Sequence, residues 1–245
     1  MGITHHGHTE RLDLADPTLR EWQCTVVGVD PGRGIVLDRS AFYPGGGGQP
    51  PDRGVLLWDG VTTRITGTIR GDDLYLVPAD GDPVPPPGTA VTGAVEDERR
   101  SLLMRTHSGL HVLGGVVFRD FGALVTGGNM EPGEARMDFN LPELPDGFTA
   151  TIEERVNAEI AADRAVQVRV LPRAEALAIP DIIRTQTNLI PEAETEIRIV
   201  DISGLDVQAD GGTHVASTRQ IGRIVVTKVE NKGRQNRRVR VRILD

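Results

Sequence analysis

Residues 99–113 read RRSLLMRTHSGLHVL, and this stretch predicts the element around which the chain is organised. Apolar residues at Leu103, Leu110 and Leu113 fall at helical spacing, so we expect a helix over residues 98–118. His107 and His111 are four residues apart, which places them on one helix face, one turn from each other. Two imidazoles in that arrangement can bind one metal ion.

A third histidine, His214, lies much further along the chain in the motif DGGTHV, residues 210–215. The chain has six histidines, and the other three are His5, His6 and His8 near the N-terminus, where we expect a flexible or vector-derived tail. Every histidine outside that tail therefore belongs to one of two motifs. The alternative is a helix with two unrelated histidines, one packed and one solvated.

Composition is typical of a folded globular protein, with 38% hydrophobic and 25% charged residues among 245. No apolar run approaches the roughly 20 residues of a membrane span, so we expect no membrane association. The single cysteine, Cys24, lies in a strand-like run, where a buried structural thiol is expected. It fits a reducing, cytoplasmic location.

The net charge of −8 argues against nucleic-acid binding, although seven basic residues lie between Lys228 and Asp245.

The first part of the chain, residues 22–96, alternates short β-like runs with turn residues, which is typical of a small barrel or a sandwich. We expect a β-barrel domain over residues 1–96. Within it, residues 41–50 read AFYPGGGGQP. Four consecutive glycines weaken any helix or strand. A flexible linker is one interpretation. We favour a loop that needs positive φ angles and lets a ligand approach the backbone, because aromatic and proline residues flank the glycines.

The second part, residues 97–245, alternates helical and strand patterns. A hairpin is expected over residues 123–140, and the capping box TIEE at residues 151–154 predicts a helix that ends near residue 164. A second hairpin is expected over residues 221–244. These patterns predict a two-layer α+β domain with a mainly antiparallel sheet.

Four segments, in order, resemble one family: FYPGGGGQP (42–50), RTHSGLH (105–111), ARMDF (135–139) and GGTHV (211–215). On these segments the chain resembles the AlaX proteins of medium length, which are free-standing relatives of the editing domain of alanyl-tRNA synthetase. The resemblance implies hydrolysis of mischarged aminoacyl-tRNA in trans, most often Ser-tRNA(Ala) or Gly-tRNA(Ala). It also implies a zinc ion bound by the His107–His111 pair, by His214 and by a cysteine at the position of Asp210.

Asp210 is the main departure from the family pattern. As a metal ligand it supplies the charge of a thiolate through a harder oxygen. Beside the metal it can orient a histidine or accept a proton. It can also simply shape the turn. The change is compatible with altered chemistry, or with a branch that acts on another small amino acid such as threonine or fluorothreonine.

The resemblance and the motifs together define the expected site residues. Three neutral imidazoles and an open position are typical of a catalytic zinc site, which activates water or polarises an ester carbonyl. A zinc that instead binds the substrate amine would also serve. The expected metal ligands are His107, His111, Asp210 and His214, and the expected catalytic residues are Gln49 and Asp210. The expected substrate-binding residues are Gln49, Thr126, Gln208, Gly211 and Gly212, and the expected tRNA-binding residues are Gly45, Gly46, Gly47, Gly48, Arg238, Arg240 and Arg242.

Two of these assignments have plain structural alternatives. Thr126 matches a family threonine that faces the bound amino acid, but it can equally be an ordinary strand residue. The three arginines alternate with apolar residues, so they share one strand face that contacts phosphates or is only solvated.

The leading functional hypothesis is therefore a zinc-dependent aminoacyl-tRNA deacylase that acts on mischarged tRNA, as a monomer or a homodimer. A metal hydrolase for another small ester or amide, and a tRNA-binding module without catalysis, are the alternatives.

Overall fold

The computed structural model describes residues 5–188 and 190–245. The chain divides into two compact units. One contains the residues up to Gly46 together with Pro50–Ser101, and the other contains Gly47–Gln49 together with Leu102–Asp245. The predicted domain ranges, 1–96 and 97–245, stay a prediction. Within the described residues, no helix combines the length and the apolar character needed to cross a bilayer.

The first unit contains a closed barrel of six antiparallel strands, which confirms the predicted β-barrel. Its strand order is β3-β4-β8-β7-β6-β9, and its core includes Trp22, Ile35, Leu56 and Leu76. Cys24 is buried in this core, and burial raises the pKa of its thiol to about 12. The barrel strands are β3 (Glu21–Asp30), β4 (Gly34–Leu37), β6 (Gly54–Trp58), β7 (Val61–Arg70), β8 (Leu74–Pro78) and β9 (Ala90–Val95).

The segment before the barrel is ordered where it is described. Strands β1 (His5–His6), β2 (Thr9–Arg11) and β5 (Arg39–Ser40) form a small sheet, and α1 (Leu12–Ala15) follows β2. His8 Nδ1 lies 2.7 Å from Asp73 Oδ2. The prediction of a flexible tail is therefore wrong for this part, because Asp73 holds His8 to the barrel. Residues 1–4 lie outside the described part of the chain.

The base of the glycine loop, residues 42–50, is closed by a buried ion pair. Arg100 is fully buried, pairs with Asp52 and donates to the carbonyl oxygen of Ala41. Asp52 also accepts a hydrogen bond from the backbone N–H of Tyr43 at 2.7 Å. The residues on both sides of the loop are thereby fixed to one guanidinium group.

The second unit is α+β, as predicted. Helix α2 (Asp97–Phe121) has the expected histidine face, and its apolar residues share a core with a four-stranded antiparallel sheet of order β10-β11-β16-β15. Gly109 allows close packing, since a Cβ there would lie 2.9 Å from Ile224 Cδ1. The sheet strands are β10 (Val125–Glu131), β11 (Glu134–Phe139), β15 (Arg223–Asn231) and β16 (Arg237–Leu244).

Helix α3 (Phe148–Ala161) begins before the predicted capping box. Its N-cap is Gly147, with φ of 72° and no side-chain cap, so Thr151 lies inside the helix rather than at its start. The prediction failed because the buried ring of Phe148, in contact with Phe121, anchors an earlier first turn.

A second, three-stranded antiparallel sheet has the order β12-β13-β14. It consists of β12 (Val166–Pro172), β13 (Glu196–Ile202) and β14 (Asp206–Ala209), with the short helix α4 (Arg173–Leu177) after β12. Strand β14, which the sequence pattern did not reveal, leads directly into the motif with Asp210 and His214. A 3-10 turn, Thr218–Ile221, then precedes β15.

Candidate metal centre

Helix α2 and the loop after β14 bring three histidines together. The ring centroids of His107 and His111 are 5.1 Å apart, and the ring of His214 lies 4.4 Å from the first and 4.8 Å from the second. With Asp210 these residues each offer one ligand atom, and the four atoms lie within 4.8 Å of one another. The residues expected to be metal ligands therefore form one cluster.

The Nε2 atoms of all three imidazoles face the carboxylate of Asp210. Asp210 Oδ2 lies 3.0 Å from His214 Nε2, and Oδ1 lies 3.4 Å from His107 Nε2 and 3.9 Å from His111 Nε2. The backbone N–H of Gly212 donates to Oδ2 at 2.6 Å, and Arg198 donates to the Asp210 carbonyl oxygen at 2.9 Å. These bonds hold both the carboxylate and its backbone in place.

Each imidazole has a different oxygen at its other nitrogen. His107 Nδ1 lies 2.8 Å from Gln49 Oε1, and His214 Nδ1 lies 3.2 Å from Ser108 Oγ. His111 Nδ1 lies 3.4 Å from Asp206 Oδ2. The oxygens beside the Nδ1 atoms of His107 and His214 can accept a proton held there, so that the Nε2 lone pairs can bind a metal ion in place of donating to Asp210.

Burial and mutual charge set the ionisation of the cluster. Burial alone would raise the pKa of Asp210, but the charge of His107 and hydrogen bonds from the imidazoles hold it well below its usual range. Burial, with the charge of His107, lowers the pKa of His214. Burial opposes protonation of His111 too, yet Asp206 and Asp210 raise its pKa to about 9.

The donor set fits a divalent metal such as zinc. Three imidazole nitrogens and one carboxylate oxygen are ligands that tetrahedral zinc accepts, and the Nδ1 atoms of His107 and His214 already have oxygen partners, as metal-ligating histidines do. His111 Nδ1 lies beside Asp206 Oδ2 at 3.4 Å but makes no hydrogen bond among the described residues. The negative charge of Asp210 in a buried place also favours a cation. His107, His111, Asp210 and His214 are thus a group that can hold a metal ion.

Gln49 reaches this cluster from the glycine loop and belongs to the same compact unit. Its Oε1 accepts from the backbone N–H of Thr213 at 3.2 Å as well as facing His107, and its Nε2 donates to Thr213 Oγ1 at 2.9 Å. The amide is 2% exposed and bonded on both sides. In this arrangement Gln49 positions His107, and a direct contact with substrate stays a prediction.

The glycines of both motifs allow close approach of backbone to side chains. A Cβ on Gly212 would lie 2.2 Å from His107 Cε1, whereas one on Gly211 would meet nothing within 4 Å. Positive φ angles occur at all four glycines of the loop, Gly45, Gly46, Gly47 and Gly48. Glycine adopts this conformation without strain, whereas other residues rarely adopt it. A Cβ on Gly48 would lie 3.2 Å from the carbonyl oxygen of Gly128 in β10.

Asp206 belongs to this site, although no motif in the sequence predicted it. Its side chain is fully buried, and its Oδ1 lies 3.1 Å from Arg184 Nε. Its Oδ2 accepts a 2.6 Å hydrogen bond from Gln208, so Gln208 lies in the network behind His111. A signal existed, because Asp206 and Gln208 are two residues apart, which gives them a common side of a strand, and Asp210 follows at the same spacing just after the strand ends. Ser108 and Arg198 were missed as well.

The remaining expected residues lie elsewhere on the second unit. Thr126 is exposed, and its hydroxyl donates to Asn236 Oδ1 at 2.9 Å. Arg238, Arg240 and Arg242 each pair with an acidic side chain, at Asp138, Glu230 and Glu134 respectively. Substrate contact by Thr126 and tRNA contact by these arginines stay predictions.

Residues 197–240 match the family described as the threonyl and alanyl tRNA synthetase second additional domain. Over 235 residues the chain is 39% identical to the alanyl-tRNA editing protein AlaX-M of Saccharolobus solfataricus, covering 94% of this chain and 97% of that protein. The chain belongs to the AlaX family.

Two further relatives support this membership. The AlaX-M protein of Methanosarcina mazei is 34% identical over 244 residues, covering 97% of each chain. The alanine–tRNA ligase of Pyrobaculum neutrophilum is 37% identical over 227 residues, which are 91% of this chain but 25% of that ligase. This AlaX family member therefore corresponds to nearly the whole of the free-standing proteins and to a quarter of the ligase.

Proposed function

We propose that this AlaX family member is a zinc-dependent deacylase that hydrolyses mischarged aminoacyl-tRNA in trans. The observation that carries the proposal is the convergence of three imidazole Nε2 atoms on the carboxylate of Asp210, in a chain whose full-length relatives are named alanyl-tRNA editing proteins. Its preferred substrates are Ser-tRNA(Ala) and Gly-tRNA(Ala). Hydrolysis adds water across the ester between the amino acid and the terminal ribose, releasing amino acid and free tRNA.

The residues have separate roles in this proposal. His107, His111, His214 and Asp210 would hold the zinc, which when bound lowers the pKa of a water molecule and polarises an ester carbonyl. Gln49 and Asp206 each contact the Nδ1 side of one imidazole and so fix its orientation. Gly212 keeps the backbone close to His107 without a clash.

The carboxylate at position 210 leaves a second version of the proposal open. It departs from the thiolate that the family resemblance implies, and a branch that removes another small amino acid, such as threonine or fluorothreonine, is the alternative. The amino acid removed then decides between the two versions of the same function.

A deacylation panel tests the proposal. Ser-, Gly-, Ala- and Thr-tRNA are incubated with protein whose metal content has been measured, then with chelator-treated protein and after zinc is restored. We expect hydrolysis of at least one mischarged tRNA, loss on chelation and recovery with zinc. Binding of tRNA without hydrolysis and without metal would instead identify a binding module, and turnover of free amino-acid esters alone would identify another hydrolase.

A further inference from the structure

Three arginines of β16, Arg238, Arg240 and Arg242, each form an ion pair with an acidic side chain. Arg238 donates to both oxygens of Asp138, at 2.7 and 2.8 Å, and Arg240 lies 2.6 Å from Glu230. Arg242 lies 2.8 Å from Glu134. Phosphate binding depends on cations whose charge is not already compensated. Ion pairing therefore makes these three arginines less available to phosphates, although Asp138 and Glu230 also pair with Arg136 and Lys228 respectively.

The turn that joins β15 to β16, residues 231–237, has the opposite character. Within the described residues, Lys232 and Arg234 make no ion pair, and both are exposed. Arg237 bonds only to uncharged oxygens, including Asn231 Oδ1 at 3.1 Å and the Gly233 carbonyl at 2.9 Å. Among the described residues these three cations thus form no ion pair with a carboxylate, although the charge of Lys232 adds to the effect of Arg238 in lowering the pKa of Asp138.

The same turn is held in one shape before any ligand arrives. Lys232 N–H donates to the carbonyl oxygen of Asn236 at 2.9 Å, and Gly233 N–H donates to Asn231 Oδ1 at 3.0 Å. The guanidinium of Arg237 bonds to the carbonyl oxygens of Gly233 and Asn236. A preformed loop loses little conformational entropy on binding, so its charges bind more tightly.

Thr126 ties the turn to the strand that borders the glycine loop. Its hydroxyl bonds to Asn236 in the turn, and Gly128, against which Gly48 packs, lies two residues further along β10. Two strand residues span about 7 Å at the usual rise. A single-stranded RNA end at the glycine loop would reach the turn within a few nucleotides.

From this placement we infer that the β15–β16 turn binds backbone phosphates of the tRNA close to its 3′ end, through Lys232, Arg234 and Arg237. The inference rests on the proposed function, because it takes tRNA as the ligand. It relocates the phosphate contacts from the paired arginines of β16 to the unpaired cations of the turn. Thr126 then acts as the support of this turn.

The test compares three double variants that each remove two positive charges. Lys232→Gln with Arg234→Gln alters the turn, and Arg240→Gln with Arg242→Gln alters the strand. The third pair, Arg219→Gln with Arg223→Gln, removes exposed arginines that pair with Asp163 and Glu153. Affinity for tRNA that carries no amino acid is measured by fluorescence anisotropy over a range of salt concentrations. Thermal unfolding checks that each variant is folded.

We expect the turn variant to lose at least tenfold in affinity and to flatten the salt dependence. Removing two phosphate contacts lowers the slope of log affinity against log salt by roughly 1.4 to 1.8. The Arg219/Arg223 variant should keep the slope of the wild type. The inference is wrong if Arg240→Gln with Arg242→Gln reduces the slope of log affinity against log salt while Lys232→Gln with Arg234→Gln leaves that slope unchanged.

The deacylation panel separates this inference from the proposed function. If the wild type binds tRNA through the turn but hydrolyses nothing, the inference stands and the deacylase proposal fails. If hydrolysis is intact and the turn variant binds like the wild type, the inference alone fails.

Discussion

Asp206 Oδ2 lies 3.4 Å from Nδ1 of His111, while Asp210 Oδ1 lies 3.9 Å from Nε2 of the same ring. One imidazole is thus held between two carboxylates on opposite sides. Arg184 and Gln208 in turn fix Asp206, so the orientation of His111 is set by a buried network rather than by the helix alone.

Replacing Asp206 with Asn should weaken zinc binding about 10- to 100-fold, because an amide lacks the negative charge that lies beside His111 Nδ1. The measurement is a competition for zinc with a chromophoric chelator. Asp201→Asn is the control, since Asp201 pairs with Arg169 and is partly exposed. Equal zinc affinity in Asp206→Asn and the wild type would show that this contact does not orient a ligand.

The two roles of Asp210 can be separated by metal content. If Asp210 is a ligand, Asp210→Ala should lose most bound metal and nearly all deacylation, and Asp210→Cys should restore binding because a thiolate carries the same charge. A proton acceptor beside the metal behaves differently, since Ala would then keep the metal and lose only rate. Metal analysis of the purified variants decides, and full occupancy in Asp210→Ala would remove Asp210 from the ligand set.

Gly212→Ala should disrupt the centre, because the new methyl group would lie 2.2 Å from the His107 ring and 2.8 Å from Gln49 Oε1. Displacing these groups should lower the free energy of unfolding by about 1–3 kcal/mol and reduce zinc affinity. Gly211→Ala is a matched control at the preceding residue, where the added Cβ would meet nothing within 4 Å. Chemical unfolding and metal titration of both variants test this, and similar losses in the two would refute the steric explanation.

Much of this arrangement could be predicted from the sequence. The spacing of His107 and His111 predicts a shared helix face whatever the tertiary context, and the run of turn residues predicts the barrel. Asp206 was missed because β14 is only four residues long and its partners Arg184 and His111 are distant in sequence. The start of α3 was wrong because packing of Phe148 outweighed a local capping signal.

Because of the ion pair between Asp138 and Arg238, the free energy of unfolding should fall as the pH is lowered into the acid range. Hydrogen bonds from Arg238 lower the pKa of Asp138, so its contribution is complete above the unfolded pKa, near 3.9, and is lost as the pH falls through the lower folded value. Asp138→Asn should therefore cost about 2 kcal/mol at pH 6 and less at pH 3. Urea unfolding of both proteins at several pH values measures this, and a constant difference would contradict it.

The chain leaves the first compact unit after Gly46 and returns to it at Pro50. A gene fragment that encodes residues 102–245 would therefore supply all four residues of the cluster but not the amide that holds His107. The part of the gene that encodes the barrel therefore also encodes one component of the cluster, so a variant in which another module replaced this part would lose Gln49.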